Sequence, residues 1–188
     1  MSQDDMRAMS IWENSIRLTQ CQDGPHYELA LPYRQGDRKD VKFPDQEACK
    51  KMAQMRMTKL KSKFMHDPEA FKMCCEQVDQ YLERGHARVV PEDEQVAPPG
   101  RPQWYLPIHC VKNPNKPGKV CATFDAKATV GGISLNDELL SGPDLANKLL
   151  GVLICFRQEL VMLQADIEGM FNAVKVAPED AYCFCFWF

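Results

Sequence analysis

Residues 67–85 constrain the chain more than any other stretch. Asp67 can accept from the free amides that open a helix, and Pro68 suits the first helical position because it has no amide hydrogen to satisfy. Gly85 suits the left-handed residue that ends a helix. Between these signals Phe71, Cys74, Cys75, Val78, Tyr81 and Leu82 recur at helical spacing and form an apolar stripe. A second helix is expected before it. Asp45 caps a basic run in which Ala48, Met52, Met55 and Leu60 lie roughly on one side. Joined at Met65–Pro68, the two make a helical arm of roughly forty residues. Upstream, residues 1–44 read as irregular or strand-like, with short apolar pieces broken by Gly24, Pro25, Pro32, Gly36 and Pro44.

The pattern changes after the arm. Ala87–Val90 reads as a short strand, and the acidic run Glu92–Glu94 and then Pro98-Pro99-Gly100 mark a boundary. Residues 1–95 are therefore expected to form the helical arm and 96–188 a second unit. In the latter, Trp104–Val111 and Val120–Phe124 read as strands of a hairpin whose basic tip spans Asn113 to Gly118. Asp144–Gln158 reads as an apolar helix after the Pro143 break, Glu159–Ala165 as a buried strand, and Tyr182–Phe188 as another strand. The fold class is α+β, with the strands before Asp166 and after Pro178 expected to pair antiparallel. Ala181–Phe188 is uncharged and largely aromatic, and is expected to need a partner outside the chain, as a truncated domain would.

Composition removes several classes. Hydrophobic residues at 45% and charged residues at 26% exclude wholesale disorder. The central uncharged run Leu149–Phe156 is far short of the ~20 residues a membrane helix needs, and the first ten residues lack the apolar core of a secretory signal. The chain thus reads as intracellular, cytoplasmic or nuclear, with no membrane partner. Nine cysteines include no Cys-x-x-Cys, which fits neither a zinc ribbon nor a disulfide framework. They read as reduced, mostly buried thiols. Cys183 and Cys185 would share a strand face as half a metal site, and plain burial is the simpler reading. Net charge is −3, yet Lys50–Lys63 holds six cations and no acid, and Arg101–Lys127 holds five against Asp125 alone. Each stretch reads either as a solvated surface or as the contact for a localised anionic partner.

Asp166 stands where the apolar run 160–165 gives way to a Gly-containing turn. A carboxylate at the end of a strand, beside backbone amides freed by a turn, suits a divalent cation and a phosphate tail. It equally suits a helix N-cap, and spacing alone leaves both open.

Longer strings carry more. WYLPIH at 104–109, KVCATFDA at 119–126, SLNDELLSGPDL at 134–145 and ADIEGMF at 165–171 follow in that order. Upstream lie IWENSIR at 11–17, YELALP at 27–32 and YLERGHA at 81–87. Together they resemble the reverse transcriptases of Pao/BEL-class long-terminal-repeat retrotransposons. Residues 104–188 match the fingers and first palm segment, and the N-terminal part matches the linker between protease and polymerase.

The resemblance implies RNA-directed DNA polymerase activity, a retrotransposon polyprotein, an RNA template with a DNA primer, deoxynucleoside triphosphates and Mg2+. It implies that Asp166 is a catalytic carboxylate binding both magnesium ions and that Ile167 lends a backbone carbonyl. Phe171 would block a ribose 2′-hydroxyl, Lys119 would approach the triphosphate or template as a point charge, and Asp125 would lie near the nucleotide. His109, in the opening strand, reads as structural.

Two departures stand out. Four residues before Asp125 the family carries an arginine that braces the triphosphate; here it is Cys121, which offers neither the charge nor the fork of donors. The Tyr-x-Asp-Asp motif, which supplies the remaining metal-binding aspartates, is absent. One carboxylate cannot clamp two ions, so the chain alone is expected not to polymerise. The other readings are a non-catalytic nucleic-acid-binding remnant of a retroelement, using the basic helix and the fingers, and a scaffold that binds proteins through its arm.

Overall fold

Two capped helices set the frame. The Asp45 carboxylate accepts from the Ala48 amide at 2.8 Å and opens a helix over Gln46–Phe64; the Asp67 carboxylate accepts from the Ala70 amide at 3.2 Å and opens another over Pro68–Glu83. In chain order the elements are α1 (Gln3–Ser15), β1 (Arg17–Cys21), β2 (Gly24–Leu29), α2 (Gln46–Phe64) and α3 (Pro68–Glu83). There follow β3 (Tyr105–Leu106), β4 (Ile108–Lys112), β5 (Val120–Phe124), α4 (Leu135–Glu138), α5 (Leu149–Cys155), β6 (Val174–Val176) and β7 (Cys185–Phe186). This computed structural model describes residues 1–188 apart from 22–23, 113–119, 159 and 168. The fold is α+β.

The buried stripe of α2 is Cys49, Ala53, Met57, Leu60 and Phe64, at spacings of four and three. Ala48 and Met55, expected on that stripe, are exposed, because a stripe centred on Met57 turns them outward. Ala70, Cys74 and Val78 of α3 face the same layer. Onto it fold β4 and β5, antiparallel with Ile108 opposite Phe124 and Lys112 opposite Val120. The pleat turns Ile108, Cys110, Val120 and Ala122 inward to complete one core with Met57, Leu60, Phe64, Cys74 and Val78. The hairpin expected from the sequence is thus present; its basic tip lies outside the described residues. Pro107, without an amide hydrogen, separates β3 from β4, so the single strand expected at 104–111 is two.

Cys74 and Cys110 meet in this core, Sγ bonded to Sγ with Cα atoms 6.1 Å apart. The expectation of uniformly reduced thiols therefore fails for this pair, which α3 and β4 direct into one layer.

A second core gathers Tyr33, Val41, Cys49, Trp104, Leu106, Leu135 and Cys183. β3 pairs in parallel with β7, and β2 lies between an antiparallel β1 and a parallel β6.

Four local expectations are corrected. Residues 3–15 are helical, because Ser2 and Asp5 form a reciprocal capping box, with Asp4 and Asp5 in the first turn. Ala87–Val90 forms no strand, and Val89 stands in solvent. The helix expected at 144–158 is confined to Leu149–Cys155 and buries no residue, so there is no packed face to extend it. Residues 160–165 are not a buried strand. They are exposed and unpaired, since the intended neighbour is taken: 181–184 form a 3-10 turn and Cys185–Phe186 pair with β3.

Gly142 carries the approach of α1 to this frame. It has φ +70, and a Cβ there would collide with the Trp12 ring. Gly142→Ala is expected to lower stability in urea unfolding by roughly 2 kcal/mol or more, from left-handed strain plus overpacking. Gly36→Ala, at φ +85 in open space, should lose only the backbone part, about 1 kcal/mol.

Candidate functional site

The residues that the sequence offers as a nucleotide and metal site are dispersed. Asp166 sits in the exposed run after α5, and its Oδ1 accepts from the adjacent Ile167 amide at 3.0 Å. Ile167 is 65% exposed and the Phe171 ring 90% exposed, with Gly169 at φ +62 turning the chain between them. Lys119 lies outside the described residues, as does Glu168.

Asp125 is a local turn residue. Its amide donates to the Pro107 carbonyl at 2.9 Å, its Oδ1 accepts from the Lys127 amide at 3.1 Å, and Oδ2 is 3.8 Å from His109 Nε2. These contacts hold the exit of β5 against the entry to β4. Cys121, half-buried on β5, stands opposite Val111. Among the described residues no hydrogen bond or ion pair joins Asp166 to Asp125.

Among the described residues no group of three or more His, Cys, Asp or Glu could hold a metal ion. Asp166 offers one carboxylate on an exposed segment, where two-metal chemistry needs several converging within about 4 Å. These residues by themselves do not fit a two-magnesium site. Between α5 and residues 161–163 runs an apolar groove of about 630 Å³, lined by Val152, Phe156, Val161 and Leu163 with Lys148 at its edge. Among the described residues no helix is long and apolar enough to cross a membrane.

The strongest polar centre lies elsewhere. Asp180 is fully buried and accepts from Arg38 Nε at 2.5 Å, a second Arg38 nitrogen at 3.1 Å, the Tyr33 hydroxyl at 3.1 Å and the Leu31 amide at 2.9 Å. Four donors saturate the carboxylate, leaving no lone pair for a metal or substrate. The Tyr33 hydroxyl is also 3.2 Å from Cys183 Sγ, and the Cys183 thiol donates to the Pro102 carbonyl. Burial first, then the neighbouring thiol and carboxylate, pushes the Tyr33 phenol far above its ordinary value. Burial likewise pushes the Cys183 thiol up to about 12, opposed by its bond to Tyr33. A protonated, enclosed thiol is neither nucleophile nor metal ligand, so this is a structural tie. Sequence reasoning missed it, because Asp180 lies some 140 to 150 positions from its N-terminal partners.

Comparison of the chain with protein-family models, with curated proteins and with solved structures yields no match.

Asp180→Asn is expected to cost about 3 kcal/mol in urea unfolding, at the low end for a broken buried pair because Arg38 keeps part of its side chain in water. Asp166→Ala should change stability by less than about 0.5 kcal/mol. Iodoacetamide at neutral pH should alkylate exposed Cys155 in the native protein and spare Cys183 until unfolding, as read by peptide mass spectrometry.

Proposed function

We propose that this chain is the fingers and first palm segment of a Pao/BEL-type reverse transcriptase, together with the linker that precedes it in the polyprotein. The observation that carries the reading is the ordered pair SLNDELLSGPDL at 134–145 and ADIEGMF at 165–171, downstream of WYLPIH and KVCATFDA. The structure supports it in two ways. The string WYLPIH runs through β3 into β4 and VCATF forms β5; β4 pairs antiparallel with β5 and Asp125 follows at the exit, an arrangement compatible with a fingers hairpin. The run 160–163 is apolar at every position and exposed, the composition of a strand meant to be covered on both faces.

The reaction of that longer enzyme is transfer of a deoxynucleotide from its triphosphate to a primer 3′-hydroxyl on an RNA template, with Mg2+ as cofactor. Asp166 is the proposed metal-binding carboxylate, with the Ile167 carbonyl beside it. Phe171 is the steric filter against a ribose 2′-hydroxyl, because an aromatic face leaves no room for the added oxygen. Lys119 supplies charge toward triphosphate or template, and Asp125 flanks the nucleotide. With Cys121 in place of a guanidinium and a single carboxylate, the segment alone does not polymerise.

Sequencing the transcript beyond the Phe188 codon tests the reading: an in-frame Tyr-x-Asp-Asp motif is expected, and an immediate stop overturns it. Primer extension on an RNA template should give no product with the chain alone. When expressed with the downstream segment, extension should fall by on the order of 100-fold or more in Asp166→Ala. Undiminished extension would remove Asp166 from the site.

A further inference from the structure

The cations of α2 are not equivalent. Lys50 lies 5.2 Å over the Trp187 ring and donates to the Gln95 side chain, and Lys51 pairs with Glu47 one turn away. Arg56, Lys59 and Lys63 are exposed, and among the described residues no hydrogen bond or ion pair engages them. Spaced three and then four residues apart, they form one line on the outer surface of the helix. The exposed Thr58 and Ser62 beside them turn their hydroxyls back onto the Gln54 and Thr58 carbonyls, so the long cationic side chains stand proud.

We propose that Arg56, Lys59 and Lys63 form a docking row for the phosphate backbone of a single-stranded nucleic acid. The seven steps from Arg56 to Lys63 cover about 10.5 Å of helix axis. A strand advances about 3.4 Å per phosphate in a duplex and roughly twice that when extended, so the row, with its flexible side chains, serves two to three phosphates. The helix dipole accounts for Lys61 and Lys63 in the last turn, but gives no reason for Arg56 and Lys59 in mid-helix. In the free protein these like charges repel one another, and a polyanion relieves that repulsion. A lipid surface is the poorer fit. The apolar stripe of α2 is committed to the core, so the helix cannot insert as an interfacial helix does.

The inference does not rest on the polymerase reading. A missing Tyr-x-Asp-Asp motif would leave it intact, and a failure to bind would leave the case for Asp166 untouched.

The test is fluorescence anisotropy of the full chain with labelled oligo(dT) of about 20 nucleotides, longer than one binding site. Three phosphate contacts predict affinity about 20-fold weaker at about 200 mM than at about 50 mM salt. The triple variant Arg56→Ala, Lys59→Ala, Lys63→Ala should lose most of that salt dependence, its log–log slope falling by about two. The triple variant Lys39→Ala, Lys42→Ala, Lys72→Ala removes the same charge from exposed positions elsewhere and should keep it. Equal losses in both variants, or no binding by the unmutated chain, overturn the proposal. So does tighter binding to phosphatidylserine vesicles than to oligo(dT). Ultraviolet crosslinking of the unmutated chain supplies a readout free of any folding defect: adducts should map to 54–64, and adducts confined to other peptides refute the row.

Discussion

The buried carboxylate of Asp180 is the constraint on which the course of the chain depends. An ionised group without water costs several kcal/mol unless it is paired and fully hydrogen-bonded. Here the guanidinium of Arg38, the Tyr33 hydroxyl and the Leu31 amide meet that demand together. Satisfying it fixes residues 31–38 against 180–183, and the Cys183 contact to Pro102 adds the approach to β3. Cys185 and Phe186 are thereby delivered beside Tyr105 and Leu106. The last strand is thus committed to β3, and residues 160–165 are left without the neighbour expected for them.

Legibility in the sequence tracks the range of the interaction. Asp45, Asp67, Pro68 and Gly85 act on amides and carbonyls within a few positions, and the helices they delimit appear where expected. The pairing of β4 with β5 follows from two short alternating runs separated by turn residues. The capping box at Ser2 and Asp5 was equally local and could have been read. It is obscured by a helix whose apolar side is weak and whose docking depends on Trp12 meeting a glycine 130 positions away. Choice of strand partner was not legible, because it is decided by the distant tie at Asp180 rather than by the apolar character of 160–165. Of the candidate site, Asp125 falls at the exit of its hairpin strand, while Asp166 and Phe171 stand on a segment whose placement no local rule determines.

That segment states its own requirement. Leu160, Val161, Met162 and Leu163 are apolar at every position, the pattern of a strand covered on both faces, and all four are more than half exposed. Covering them needs surface on two sides and strand neighbours for their backbone groups, which the described residues do not provide. Among the described residues, the Asp166 carboxylate at the end of this run therefore has no packed backbone behind it. Any metal chemistry at Asp166 would need one, because converging carboxylates need fixed backbones. The row on α2 is free of the condition. Its backbone is set by two cores already formed, and its charge is complete within one helix. Electrostatic attraction to a polyanion at this row therefore requires no ordering of residues 160–163.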